Sequence, residues 1–214
     1  MTSYKTNFSL LDSRQYVHSS SILNFIVDLL PAFCKDNMHI DLMNIKFRSE
    51  VKRNGSIMIY NECQNSFDLD KLKFEFQFQC GNEKYFAYFL EDNMGNIDNR
   101  LNSNYSISGY QLDGFLNGNC RLYFDETIYS NIIQFNKMVH LSTFNERSVN
   151  KITNLSMNNI PLFRKSNKFY DVEVCCNNLF YRETGNGFMT LNKIDLTGGG
   201  NDISLEISFL IEFD

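Results

Sequence analysis

Apolar positions along this chain fall into two spacings, one helical and one strand-like, and the two alternate in an order that occurs twice. Ser19-Ser20-Ser21 offers an N-cap, and the stretch from Ile22 to Phe33 then reads as a helix. Its apolar residues Ile22, Leu23, Phe25, Ile26, Val27, Leu29 and Leu30 cover nearly the whole circumference. A helix apolar on all sides and too short to cross a bilayer predicts burial. A strand from Met43 to Val51 follows, ending at Asn54-Gly55, and Ile57 to Cys63 reads as its hairpin partner. Leu72 to Gln79 alternates strictly, so one face is buried. Gly81-Asn82 then turns the chain into Tyr85 to Leu90.

The polar stretch from Asp92 to Gly118 reads as a connection, with a short strand near Tyr105 to Tyr110. Cys120 to Phe124 predicts a strand, Ser130 a cap, and Ile132 to Phe144 a second helix. Strands are expected around Met157 to Arg164, Phe169 to Cys176, Gly187 to Leu196 and Ile203 to Phe213, with a turn over Gly198 to Asn201. An offset of 112 residues pairs Asn24 with Asn136, Val27 with Val139, Leu29 with Leu141, Ile40 with Ile152, Val51 with Phe163, Arg53 with Lys165 and Cys63 with Cys175. A repeat of this length is a domain-sized duplication, too long for a solenoid. The predicted organisation is a first repeat over 1–98, a connection over 99–118 and a second repeat over 119–214. One curved sheet covers only half of an all-apolar helix. A second copy completes the cover and removes exposed strand edges by pairing with the first. The predicted fold is α+β, a tandem (double) hotdog, with two buried helices wrapped by a continuous antiparallel sheet.

Composition narrows the function. The net charge is -5, which argues against nucleic-acid binding through a global basic field. No apolar run approaches membrane-helix length and the N-terminus has no signal-peptide core, so a cytoplasmic protein without membrane insertion is expected. The six cysteines lack zinc spacing and are expected to be reduced core thiols, with no metal site.

The second helix carries a resemblance. Gln134-Phe135-Asn136-Lys137-Met138-Val139-His140-Leu141-Ser142-Thr143-Phe144-Asn145-Glu146 is similar to the His-Val-Asn-Asn-x-x-Tyr-Leu-x-x-Phe-x-Glu pattern of hotdog thioesterases, and Asn136, Val139, Leu141, Phe144 and Glu146 fit. The segment also resembles the second half of the double-hotdog acyltransferase/decarboxylases of polyketide pathways. The resemblance implies a site where the two helices and the loops before them meet. It further implies acyl-CoA or acyl carrier protein as partner, and phosphopantetheine or coenzyme A as substrate carrier, with no tightly bound cofactor. The family's catalytic Asp lies four residues before its motif His, and here those positions hold Ser130 and Gln134.

The candidate site residues follow. His18 stands just before the first helix, where hotdog dehydratases place a catalytic His, and is a candidate general base; the alternative is a surface or structural His. His140 occupies the position paired with Asp28, and the two are expected to hydrogen-bond, as a core pair or an acid/base couple. Tyr16 and Tyr129 precede the helices and are candidates to donate to a carbonyl or act as nucleophiles, against a packing role. Backbone amides at Ser19 to Ile22 and Ser130 to Ile132 are candidates to polarise a thioester carbonyl. Lys52 and Arg53, with Arg164 and Lys165, are expected to form a basic rim for a phosphopantetheine phosphate, against the plainer reading of solvated turns. Three functions are compatible with these residues: hydrolysis, acyl transfer or dehydration of acyl thioesters in polyketide or fatty-acid-like biosynthesis; non-catalytic binding of an acyl chain or partner; or assembly through an aromatic sheet face. A monomer (a pseudo-dimer in itself) or a homodimer is expected.

Overall fold

The computed structural model describes residues 1–214 except 35–38, 65–66, 103–104, 106, 124–127, 145–148, 163–170 and 199–200. The chain divides into two compact units, Met1–Ser103 and Asn104–Asp214.

The first unit contains β1 (Thr2–Lys5), β2 (Leu10–Leu11), α1 (Ser19–Cys34), β3 (Ile40–Phe47), β4 (Gly55–Tyr60), β5 (Leu72–Cys80), β6 (Glu83–Glu91) and β7 (Arg100–Leu101). Five of these strands form an antiparallel sheet in the order β1-β4-β6-β5-β3, and β2 pairs with β7 in parallel. Along β5, Leu72, Phe74, Phe76, Phe78 and Cys80 are all buried and the residues between them are not, as strict alternation requires. Phe74 stacks on Phe89 at 4.8 Å, and Phe8 packs edge-on against Phe89 and against Phe25 of α1. Phe33 closes the other end of α1 over Phe78 and Tyr85. The helix is amphipathic rather than enclosed: Ile22, Leu23, Ile26, Leu29, Leu30 and Cys34 are buried, Asn24, Phe25 and Val27 are half-buried, and Asp28 is exposed.

The hairpin expected at Asn54-Gly55 does not form. β3 pairs with β5, and β4 pairs with β1 and β6. Asn54 is instead an anchor: its Oδ1 accepts from the Phe8 amide at 2.7 Å, its Nδ2 donates to the Asn96 carbonyl at 2.8 Å, and its own amide donates to the Gly95 carbonyl. Gly55 has no side chain because a Cβ there would collide with the main-chain carbonyl of Leu90 across the β4–β6 ladder. The Asn-Gly pair thus serves a close backbone approach rather than a two-residue turn. Replacing Gly55 with alanine is expected to cost about 1–3 kcal/mol, because main chain must move to admit the methyl group. Urea unfolding of the variant checks this, and an unchanged midpoint would contradict it.

The second unit contains β8 (Ile107–Gly114), β9 (Asn117–Tyr123), α2 (Ile128–Thr143), β10 (Val149–Ile160), β11 (Asp171–Thr184), β12 (Gly187–Gly198) and β13 (Asn201–Phe213). Its sheet is antiparallel in the order β10-β13-β12-β11-β9-β8. β8 overlaps the short strand expected near Tyr105 to Tyr110 and runs four residues beyond it, to Gly114. β11 and β12 form a long hairpin that turns at Gly185-Asn186, well past the expected end at Cys176, and β10 begins eight residues earlier than expected. Bulges at Val149/Lys151 and Asn154/Ser156, with Asn159 at φ 53°, break the alternation of β10 and hide it from a periodicity reading.

The two units share one element plan, but their register is not the expected 112. α2 starts and ends 109 residues after α1 (Ser19 to Ile128, Cys34 to Thr143), and β10 starts 109 after β3. In that register the buried Leu23, Ile26 and Leu30 match the buried Ile132, Phe135 and Val139. Asn24 and Asn136 are not equivalent: the first is half-buried and the second fully buried. Phe163 and Lys165 of the expected pairs lie outside the described residues, as do Phe124, Glu146 and the glycines at 199–200.

Candidate functional site

In the first unit, His18 is the residue that starts α1. Its carbonyl accepts from the amides of Ser21 at 3.0 Å and Ile22 at 3.2 Å, and its Nδ1 accepts from the Ser20 amide at 3.4 Å. The Ser20 hydroxyl also meets Nδ1, at 2.8 Å. His18, rather than Ser19 to Ser21, is therefore the N-cap. A ring nitrogen that accepts from an amide carries no proton, so the neutral imidazole holds its proton on Nε2. The His18 ring is buried, and its Nδ1 is taken up by the cap. The amides of Ser20, Ser21 and Ile22 are spent on this cap and do not stand ready for a thioester carbonyl. His18→Ala is expected to cost about 0.5–2 kcal/mol, whereas His18→Asn, which caps equally well, is expected to restore most of that stability in thermal unfolding.

Tyr16 is half-buried in the turn before α1. Lys52 and Arg53 are exposed but engaged. Their amides both donate to Glu91 Oε1, at 2.6 and 2.8 Å, while Lys52 Nζ pairs with Glu50 and Arg53 Nη1 donates to the Asn93 carbonyl. This loop clasps Glu91 at the end of β6, which is a structural task. Arg164, Lys165 and Lys168, the other half of the expected basic rim, lie outside the described residues.

The second unit holds a buried polar group that the sequence reading located only in part. α2 begins at Ile128, so Ser130 is in the first turn rather than at the cap, and half-buried. Tyr129 donates its hydroxyl to the Pro161 carbonyl at 2.5 Å, which commits it to structure. One turn apart on the buried face of α2 stand Asn136 and His140, both with no exposed surface. Opposite them β12 presents Thr190 and Asn192, also fully buried. His140 Nδ1 lies 2.6 Å from the Asn136 main-chain carbonyl and Nε2 lies 2.8 Å from Thr190 Oγ1. A carbonyl only accepts, so Nδ1 carries the proton, Nε2 is bare, and the Thr190 hydroxyl donates to it. Burial pushes the imidazole down to about 4, against a small upward effect of the Asn136 carbonyl, so His140 is neutral at neutral pH. Both ring nitrogens being taken and Asp28 being exposed, the expected Asp28–His140 hydrogen bond is not made.

The amides can be oriented by elimination. Asn178 Nδ2 donates to the carbonyls of Phe180 at 3.0 Å and Leu191 at 3.4 Å, so the group it also meets at 2.8 Å, on Asn192, is Oδ1. Asn192 Nδ2 then donates to Asn136 Oδ1 at 2.7 Å, which Cys176 Sγ also approaches at 3.6 Å. Asn136 Nδ2 is consequently left buried with no acceptor among the described residues. On β10, Asn154 is buried with neither amide atom partnered among the described residues. Asn154 pairs with Phe209, and Phe209 pairs with Thr190, so the three lie in one row across the sheet. Unanswered buried donors cost about 1–3 kcal/mol each.

Burial also disposes of the thiols: Cys120 and Cys176 are both pushed up to about 12 by loss of solvent, so neither is a ready nucleophile. No cluster of His, Cys, Asp or Glu among the described residues has the arrangement of a metal site. No helix of the described residues is long and apolar enough to cross a membrane.

No protein-family model matches the chain, and no curated relative matches it by sequence. Solved structures do. The tesB protein of Mycobacterium avium subs paratuberculosis superposes with a TM-score of 0.50 at 5% identity, covering 99% of this chain and 92% of its own. The structure of GphF Dehydratase 1 superposes with a TM-score of 0.52 at 6% identity, covering 98% of this chain and 92% of its own. An isomerase-inactive variant of the same dehydratase gives 0.52 at 6%, covering 99% and 90%. The chain has the tandem hotdog fold. In this tandem hotdog each unit packs one helix on an antiparallel sheet, and in the second unit a buried polar network joins α2 to β12.

Proposed function

We propose that this tandem hotdog protein handles acyl thioesters, accepting acyl-CoA or acyl carrier protein and processing the acyl group by hydrolysis, acyl transfer or dehydration, in a polyketide or fatty-acid-like pathway. The observation that supports this reading is the seam between α2 and β12. There a neutral imidazole accepts a hydrogen bond from the Thr190 hydroxyl, and the Asn136 amide nitrogen has no acceptor among the described residues. A thioester carbonyl needs a nucleophile or base and a donor to its oxygen, and both are present. The fold is shared with a dehydratase and a tesB protein, which fits the same chemistry by analogy. The phosphopantetheine arm of coenzyme A or of a carrier protein is the proposed substrate carrier. Lys52 and Arg53 keep outward-facing cationic side chains that could meet its phosphate at the cost of their present partners.

A second reading, non-catalytic binding of an acyl chain, is favoured by one particular: Ser130 and Gln134 replace the acidic residue and histidine of the thioesterase pattern. The two readings separate in one experiment. Purified protein is offered acyl-CoA and acyl carrier protein substrates of several chain lengths, and released thiol and bound ligand are measured. Thiol release above the spontaneous rate supports processing. Saturable binding without release supports the second reading. Neither release nor binding with any thioester contradicts both. In the same assay His18→Asn, which keeps the cap, is expected to lower release if the His18 Nε2 proton meets the substrate; unchanged release would leave His18 a cap alone.

A further inference from the structure

We propose that Thr190 Oγ1 is the acyl acceptor of this protein, with His140 Nε2 as its base and the Asn136 side-chain amide as the donor to the carbonyl oxygen. This deepens the acyl-thioester reading and rests on it.

Three observations carry the assignment. The Thr190 hydroxyl already donates to a bare imidazole nitrogen at 2.8 Å, the geometry from which a proton leaves as oxygen attacks. The imidazole is held by a third group: Nδ1–H donates to the Asn136 carbonyl at 2.6 Å, which fixes both tautomer and ring plane, as in a nucleophile–base–orienter arrangement. Asn136 and His140 are four residues apart on α2, so the orphaned Nδ2 lies within one helical turn of the couple, on the same buried face. A protein that kept this polar set for packing alone would be expected to pair that amide.

Both atoms and charge balance. Thr190 Oγ1 forms a bond to the thioester carbon as its proton passes to His140 Nε2, and the carbonyl oxygen takes the negative charge against Asn136 Nδ2. The C–S bond then breaks, the thiolate takes the proton from His140, and a free thiol leaves an ester on Thr190. Water, deprotonated by the same Nε2, cleaves that ester and releases the carboxylic acid, with the proton restored to Thr190. Thr190 and His140 are fully buried, so a bulky thioester requires the α2–β12 seam to part, and acylation is expected to be slow.

Wild type, Thr190→Ser and Thr190→Val are incubated with a short-chain and a long-chain acyl-CoA. Free thiol is followed, and quenched samples are read by intact mass and peptide mapping, with circular dichroism confirming each fold. The expected result is thiol release with an added acyl mass at position 190 in wild type and in Thr190→Ser. In Thr190→Val the adduct is absent and release falls about 100-fold or more. An adduct mapped to another residue, or release by a folded Thr190→Val within about threefold of wild type, would overturn the assignment of Thr190 while leaving acyl-thioester handling intact. If Thr190→Val fails to fold, the wild-type and Thr190→Ser maps decide alone. Absence of thiol release by every protein with every thioester would sink the reading beneath it as well.

Discussion

Truncating Phe209 to alanine is expected to destabilise the second unit by about 3–5 kcal/mol, among the largest losses of any single change in the protein. The ring is fully buried on β13, lies edge-on under the His140 imidazole with centroids 5.4 Å apart, and sits in the sheet row between Asn154 and Thr190. Its removal takes away apolar burial and leaves a void bordered by polar groups, into which His140 can tilt. Phe209→Leu fills most of that space and is expected to cost far less, about 1 kcal/mol. Urea unfolding measures both. Near-equal midpoints for Phe209→Ala and wild type would mean that this row is not packed as described. Thiol release provides the functional counterpart: it is expected to fall in Phe209→Ala, where a tilted imidazole loses its line to Thr190, and to be largely kept in Phe209→Leu.

Acidification is expected to remove about 3 kcal/mol of stability through His140 alone. In the folded chain burial holds its imidazole near 4, against an ordinary value of 6.5 when unfolded. The unfolded chain therefore binds the proton first as pH falls. The contribution is fully present above about 6.5, declines below it, and is gone by about 4. Protonation also places a hydrogen on Nε2, so the Thr190 hydroxyl can no longer donate to it and the bond must reverse, with Thr190 Oγ1 accepting. Other groups also contribute to acid unfolding, so the comparison that matters is with His140→Gln, which does not titrate. Wild type is expected to lose more stability than that variant between pH 6.5 and 4, and parallel curves would contradict the buried neutral imidazole.

Much of the fold was legible because its strongest signals are local. The burial of β5 follows directly from the alternation of Leu72 to Cys80, and α1 and α2 lie where their apolar spacing places them, with ends shifted by a few residues. The failures have particular causes. Asn54-Gly55 has the composition of a tight turn, but its glycine answers a close approach to Leu90 that only tertiary structure reveals. The repeat register was drawn from identities such as Asn24 and Asn136, whereas the conserved feature is burial: Leu23, Ile26 and Leu30 against Ile132, Phe135 and Val139.

The site was legible on the helix and hidden on the strand. Asn136 is marked by the motif resemblance and His140 by its place opposite Asp28 in the repeat, and the structure sets the two one turn apart on α2. Thr190 and Asn192 carry no such mark, because in Met189-Thr190-Leu191-Asn192 the apolar residues suggest the inward face. The strand is turned the other way: Thr190 and Asn192 are inward with Phe188, Ile194 and Leu196, and Met189 and Leu191 are half-buried on the opposite side. A polar inward pair is tolerable only because His140 and Asn136 answer it from the helix, and that pairing across fifty or more residues has no signature in local sequence. His18 shows the converse. Its place before the helix was plain, but that its ring is the cap emerges only from its bonds to Ser20.

The polar seam of the second unit is expected to take a thioester carbonyl. Calorimetric titration with an acyl-CoA analogue in which a methylene replaces the sulfur keeps that carbonyl and forbids cleavage. One analogue per chain is expected to bind at least about tenfold more tightly than coenzyme A itself, with the gain lost in Asn136→Leu. Equal affinity for the analogue and for coenzyme A, or no binding of either, would contradict it.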